Sequence, residues 1–266
     1  MRLCSIASGS SGNCIYVGSD TTHLLVDVGI SGKRTEAGLK SLEICPTDID
    51  GILITHEHAD HIAGIGVMAR KYGIPIYATP GTVKAIRSNT SVGKIDEDLF
   101  VEVQADSKFT IKDIVVNPMK ISHDAAQPVA YRFAYGNRKA AICTDLGVFN
   151  EYTVDALRGM DALLIEANHD VNMLQVGPYP YYLKQRILGD RGHLSNENSG
   201  KLLSRILHDD LKTIILGHLS KENNLPELAY EAVRMEITYG DNPYKAEDFD
   251  IQVANRSDVS QVIQLA

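Results

Sequence analysis

The sequence predicts an α/β protein, one domain in which buried strands alternate with amphipathic helices. Three observations carry that expectation. Apolar runs of strand length recur along the 266 residues. Helical periodicity follows several of them directly. His or Asp residues stand just past the ends of these runs, where layered α/β folds assemble sites from distant parts of the chain.

Composition narrows the function. Apolar residues make up 44%, enough for a sizeable core. Lys plus Arg number 26 against 34 Asp plus Glu, a net charge of −8. That balance argues against broad, nonspecific nucleic-acid binding and leaves room for a local basic groove. No signal peptide and no apolar run of membrane-spanning length is seen, so a cytoplasmic protein with no membrane partner is expected. Cys4, Cys14, Cys45 and Cys143 form no C-x-x-C pair and read as buried free thiols of a reducing compartment.

Taken in order, residues 3–7, 14–17 and 23–28 read as short strands. Ser8-Gly9-Ser10-Ser11-Gly12-Asn13 lies between the first two. It lacks the Lys of a phosphate-binding P-loop and precedes a strand, so a connection between antiparallel strands is favoured. A short helix is expected within 31–50, strands at 52–55 and 74–78, and a helix at 80–88 with Pro80 at its start. Strands are expected at 100–103, 109–111, 114–121, 129–135, 139–143, 162–165, 213–216 and 249–254. Helices are expected at 195–208 and near 226–235. No long linker or low-complexity segment interrupts them, so 1–266 reads as a single domain.

Residues 52–64 organise the rest. An apolar strand ends in His56, His58, Asp60 and His61, and Ile62, Ile65, Ala69 and Tyr72 then fall on one helical face. Three of nine histidines sit within six positions. Neutral imidazoles and a carboxylate on a strand–turn–helix suit zinc or a similar divalent ion. The spacing does not fit the zincin helix, which needs His at i and i+4 around a Glu. The same placement recurs where apolar runs end at His123, Asp145 and His218. A lone His after a strand is usually structural, whereas several such endings beside the His56–His61 cluster point to ligation. Asp27 also ends a strand. It suits either a carboxylate that orients the metal loop or an ordinary turn residue.

His56-x-His58-x-Asp60-His61, followed by His123, Asp145 and His218, resembles the metallo-β-lactamase-fold hydrolases in order and rough spacing over nearly the whole chain. The resemblance implies a four-layer αβ/βα sandwich with two divalent metals at one edge. It implies His56, His58 and His123 on one ion, Asp60, His61 and His218 on the other, and Asp145 bridging. It also gives Asp60 a catalytic part. Asp145 stands where true lactamases of the family commonly use Cys, which disfavours an antibiotic hydrolase. A closer likeness is to the bacterial YycJ/WalJ branch. It is carried by Ala7-Ser8-Gly9-Ser10-Ser11-Gly12-Asn13, by the core Thr55-His56-Glu57-His58-Ala59-Asp60-His61, by Glu166-Ala167-Asn168-His169-Asp170, by Gly192-His193-Leu194-Ser195-Asn196 and by the run from Gly217 to Asn224. That branch implies an exonuclease working on DNA from 5′ ends, with a link to DNA repair.

Two metals would lower the pKa of a shared water to about 7 and present a bridging hydroxide to a phosphodiester. Zinc, manganese and iron all suit mixed His and carboxylate ligands. His193 resembles the additional His that phosphodiesterases of this fold use near the scissile phosphate. Phosphate stabilisation and proton donation both fit it, and a helix-start His bonded to backbone is the plainer alternative. Glu166 is expected to orient His193, and His169 to contact substrate. Within 177–192, Tyr181, Arg186 and Arg191 suit a groove that stacks a terminal base and holds phosphates, or a solvated connection packed by tyrosine. The leading expectation is a DNA exonuclease, at most a weak homo-oligomer. Its rivals are an RNA-processing nuclease, a small phosphodiesterase or thioester hydrolase of the same fold, and a metal-bound scaffold without catalysis.

Overall fold

The computed structural model describes residues 1–265. The chain divides into two compact units. The first comprises Met1–Lys120, Ala125–Arg138 and the segment from Asn255 onward; the second comprises Ile121–Asp124 and Lys139–Ala254.

The first unit opens with strands β1 (Arg2–Ala7), β2 (Cys14–Gly18) and β3 (His23–Val26). Helix α1 (Gly32–Ser41) follows, capped by the Ser31 side chain. Then come β4 (Gly51–Leu53), α2 (Ala59–Ile62), α3 (Ile65–Tyr72), β5 (Ile76–Ala78), α4 (Pro80–Ser88) and β6 (Phe100–Glu102). These strands form one seven-stranded sheet, its order Ile263–Gln264, β1, β2, β3, β4, β5, β6. It is antiparallel from Ile263–Gln264 to β3 and parallel from β3 to β6. The Ser/Gly loop does connect antiparallel strands, with Leu3 opposite Val17. Strands β7 (Phe109–Ile111), β8 (Ile114–Lys120) and β9 (Val129–Tyr135) form an antiparallel meander.

The core of this unit joins Leu25, Ile52, Ile54 and Ile76 on strands to Ile62, Ile65, Met68 and Ala69 from the helical segment. Each fully buried Leu or Ile contributes roughly 1.5–3 kcal/mol. The helix expected after residue 61 is broken at Ala63–Gly64 into α2 and α3. A Cβ at Gly64 would stand 2.1 Å from the Ile30 carbonyl oxygen, and Gly64 N donates to Val28 O at 2.8 Å. The break brings the chain against the end of β3, and Ile62, Ile65 and Ala69 stay buried.

The second unit contains β10 (Arg138–Cys143), α5 (Glu151–Leu157), β11 (Ala162–Glu166), α6 (Val171–Val176), α7 (Tyr181–Leu188), α8 (Asn196–Ser204), β12 (Thr213–Gly217), α9 (Pro226–Tyr239) and β13 (Asp250–Val253). Strands β10, β11, β12 and β13 pair in parallel in that order. All residues of β11 and β12 are buried, as parallel strands covered on both faces should be.

The expected strands are all present and the class is α/β. Helices α5, α6 and α7 had no sequence expectation. Asn150 caps α5 and Asp170 caps α6 through side-chain acceptors, signals visible in the sequence once the helices are known. Helix α8 ends at Ser204, short of His208, and α9 runs on to Tyr239. Cys45 departs from the expected buried thiols: it is exposed in the turn before Pro46, while Cys4, Cys14 and Cys143 are buried and free. No helix among the described residues is long and apolar enough to cross a membrane.

Candidate metal centre

In the first unit the strand ends of β3 and β4 build the histidine turn. Asp27 follows β3 with φ +59°, in the left-handed region that non-glycine residues seldom adopt. Its carboxylate is 2% exposed and accepts from Thr55 N at 2.9 Å and Thr55 Oγ1 at 2.8 Å. It also lies 2.7 Å from His61 Nδ1. Burial raises the Asp27 pKa above the usual carboxylate range, and the charge and hydrogen bond of His61 oppose that rise. With its Nδ1 proton given to Asp27, His61 carries its lone pair on Nε2, the tautomer a metal requires. Thr55 Oγ1, donating to Asp27, is also 3.0 Å from His56 Nδ1 and can accept from it. His56 Nε2 then faces His58 Nδ1 at 3.0 Å. Two imidazole nitrogens on one tetrahedral ion would be about 3.3 Å apart, so this pair fits a shared cation.

Asn13, a residue without a sequence expectation of its own, steadies the turn. Its backbone N donates to Asp60 O at 2.8 Å, and its Nδ2 lies 3.2 Å from His61 Nε2. A Cβ on Gly29 would sit 1.7 Å from Asp60 O, so only glycine lets these segments meet. Asp60 lies on α2, its Oδ2 3.5 Å from His61 Nε2, with a quarter of its side chain exposed.

In the second unit Asp145, Glu166, His193 and His218 each present one ligand atom, and these atoms all lie within 4.8 Å of one another. Asp145 follows β10 at φ +59° and His218 follows β12 at φ +54°. Asp145 Oδ1 is 3.7 Å from His123 Nε2, 3.6 Å from His193 Nδ1 and 3.5 Å from His218 Nδ1. Glu166, at the end of β11, is fully buried. Its Oε1 lies 2.8 Å from both His193 Nδ1 and His218 Nδ1. Its Oε2 accepts from Leu146 N at 2.9 Å and Leu194 N at 3.1 Å. Burial alone would raise its pKa, but the charges and hydrogen bonds of His193 and His218 outweigh burial and hold it at about 2. An ionised Glu166 therefore fixes Nδ1–H on both imidazoles and turns both Nε2 lone pairs outward. His193 is 17% exposed where Glu166 and His218 are at most 1%. It is the member of this cluster that opens most to solvent.

The segment 177–192 departs from a free cationic groove. Arg186, on α7, forms a two-nitrogen pair with Asp124, its Nη2 3.1 Å from Asp124 Oδ1. Arg191 donates through Nε and Nη2 to His123 O at 3.2 and 3.1 Å, and Gly192 O lies 3.0 Å from His123 Nδ1. Both cations are thus engaged in holding the His123–Asp124 turn. Tyr181 and Tyr182 are 76% and 75% exposed. His169, expected at the substrate, is 1% exposed, its Nδ1 3.3 Å from Asn168 Oδ1. Burial pushes its pKa down to about 4. Its ring offers no open face to a polymer.

A beta-lactamase superfamily domain profile matches residues 22–218. Exodeoxyribonuclease YycJ of Bacillus anthracis is 46% identical over 229 residues, 86% of each chain. Exodeoxyribonuclease WalJ of Streptococcus pneumoniae is 43% identical over 236 residues, 89% of this chain and 88% of its own. Among solved structures, Zn²⁺-bound PqqB from Methylobacterium extorquens covers 100% of both chains at TM-score 0.71 and 16% identity. The metallo-β-lactamase fold protein YhfI from Bacillus subtilis matches at TM-score 0.69 and 15% identity, covering 97% of this chain and 98% of its own. These two structures show a shared fold, the α/β sandwich of the metallo-β-lactamase type that the resemblance implied.

Proposed function

The chain belongs to the beta-lactamase superfamily and is a metal-dependent nuclease, and on that premise we propose that it is an exonuclease removing nucleotides from the 5′ ends of DNA. The observation that carries the exodeoxyribonuclease reading is its 46% and 43% identity to two exodeoxyribonucleases over most of both chains, and the 5′ polarity is the expectation drawn from the resemblance to that branch.

Both units are read as serving one hydrolase domain, residues 1–266. His56, His58 and His123 would hold one divalent ion, and Asp60, His61 and His218 a second, with Asp145 shared. The donor chemistry supports this: histidine nitrogens with lone pairs set by Asp27, Thr55 and Glu166, beside carboxylates that favour zinc, manganese or iron. Such ions, when bound, would acidify a water and offset negative charge on a phosphodiester.

The remaining steps fall to the chain's own side chains. Glu166 keeps the Nδ1 proton of His193 in place, so Nε2 is the atom His193 turns to substrate. There it would stabilise the scissile phosphate or, when protonated, give its proton to the leaving oxygen. Asp60 would orient the attacking water. Tyr181 would stack a terminal base, and Arg186 and Arg191 would act through the His123–Asp124 turn that they hold. The relatives' substrate supports DNA, the buried thiols support the cytoplasm, and self-association would be weak at most.

The test is one assay on 5′- and 3′-labelled DNA and RNA, single- and double-stranded, with manganese, zinc or chelator. Early release of short 5′-labelled product from DNA is expected. Early release from the 3′ label, or equal rates on RNA, would count against the assignment of polarity or of substrate.

A further inference from the structure

We infer that Asn168 is a positioning residue that holds the His218 backbone in its ligand-presenting conformation. His218 is in the left-handed region at φ +54°, a conformation that persists only where the surroundings enforce it. Asn168, two residues beyond β11, is 4% exposed, and its Nδ2 donates to the His218 carbonyl oxygen at 2.9 Å. Its backbone N donates to Leu194 O at 2.9 Å, and its carbonyl accepts from Ser220 N at 2.7 Å. One buried residue therefore ties together three segments: the end of β11 that carries Glu166, the chain beside His193 and the turn that carries His218.

The orientation of the amide follows from its neighbours. Asn168 Oδ1 lies 3.3 Å from His169 Nδ1, and a proton there makes Oδ1 the acceptor and leaves Nδ2 facing His218. His169 is fixed in turn, because its carbonyl accepts from Asn196 N at 3.0 Å and it pairs with Ser195 as an isolated parallel bridge. This gives the buried His169 a part in the site without contact to substrate. Loss of the Asn168 donor would let the His218 peptide rotate toward an ordinary φ. That rotation swings the imidazole away from Glu166 Oε1, 2.8 Å from its Nδ1.

The inference rests on the reading of His218 as a metal ligand, and cobalt binding separates the two. The full-length protein is titrated with Co²⁺ and followed by visible absorption, with His218→Ala as reference. Asn224→Ala is the matched control: its Nδ2 donates to Ala167 O at 2.9 Å and Asn196 Oδ1 at 2.8 Å within the same buried network. Asn168→Ala is expected to weaken one cobalt equivalent by roughly 10–100-fold and to change the spectrum as His218→Ala does. Asn224→Ala is expected to lower the melting temperature with both equivalents retained. Asn168→Ser, whose hydroxyl is too short to replace the amide donor, serves if the alanine variant does not fold. Wild-type cobalt binding in the Asn168 variants, with His218→Ala impaired, overturns the inference alone. Wild-type binding in His218→Ala overturns the ligand reading and the inference together. Equal weakening in Asn224→Ala reduces Asn168 to general support and also overturns it.

Discussion

Glu166 Oε1 and His193 Nδ1 stand 2.8 Å apart, and the same oxygen is 2.8 Å from His218 Nδ1. One carboxylate thus sets the tautomer of a proposed ligand and of a proposed proton donor. Glu166→Gln cannot satisfy all four neighbours. With its oxygen toward the histidines, its NH₂ meets the Leu146 and Leu194 N–H donors. The variant should lose about 100-fold or more in kcat and melt at lower temperature, the buried mismatch costing roughly 1–3 kcal/mol. Stopped-time assays on labelled DNA and calorimetry would check both; near-normal kcat would refute the orienting role.

Metal dependence should be complete. Chelation of the wild-type protein, or either Asp145→Ala or His58→Ala, should abolish DNA hydrolysis while far-UV circular dichroism stays near that of the untreated protein. Added manganese or zinc should restore the chelated protein alone. Wild-type turnover in either variant would remove that residue from the site.

Tyr181 and Tyr182 are exposed, so their loss should leave stability within about 0.5 kcal/mol. If they stack the strand end, at about 1–3 kcal/mol per base, Tyr181→Ala/Tyr182→Ala should raise KM for DNA at least fivefold. Hydrolysis of a small chromogenic phosphodiester should not change. Unaltered KM on DNA would mean that these rings serve something else.

Arg191→Ala should behave differently. The guanidinium holds the His123 carbonyl at 3.1 and 3.2 Å, so its removal loosens a proposed ligand directly. Activity on DNA and on the small phosphodiester should fall together, by roughly 10-fold or more. Loss confined to DNA would return Arg191 to a phosphate-binding role.

Gly29→Ala should be among the most damaging small substitutions. The new Cβ would stand 1.7 Å from Asp60 O, a backbone atom with no freedom to give way. A loss of at least about 3 kcal/mol is expected, together with weakened metal binding, measured by urea unfolding and metal analysis. Wild-type stability would show that the histidine turn is looser than its packing indicates.

The proposed ligands stood out in the sequence because strand ends announce themselves. A buried strand is a short apolar run, and His56, Asp145 and His218 each stand just past one. The same local signals located the strands, the Pro80 helix and the Ser/Gly connection. Chain periodicity did not show the break at Gly64, because it comes from the approach of Ile30 in another segment. Nor could it foresee that Arg186 and Arg191 would be drawn to Asp124 and His123 O, or that His169 would be buried. Those outcomes depend on which groups folding brings within hydrogen-bond reach. The sequence by itself determined which residue types could bind metal, and that His56, His123, Asp145 and His218 stand just past apolar runs. Only the tertiary structure decided their electronic state: Asp27 and Glu166 reach histidines from distant parts of the chain, and a hydrogen bond on one ring nitrogen dictates what the other can do.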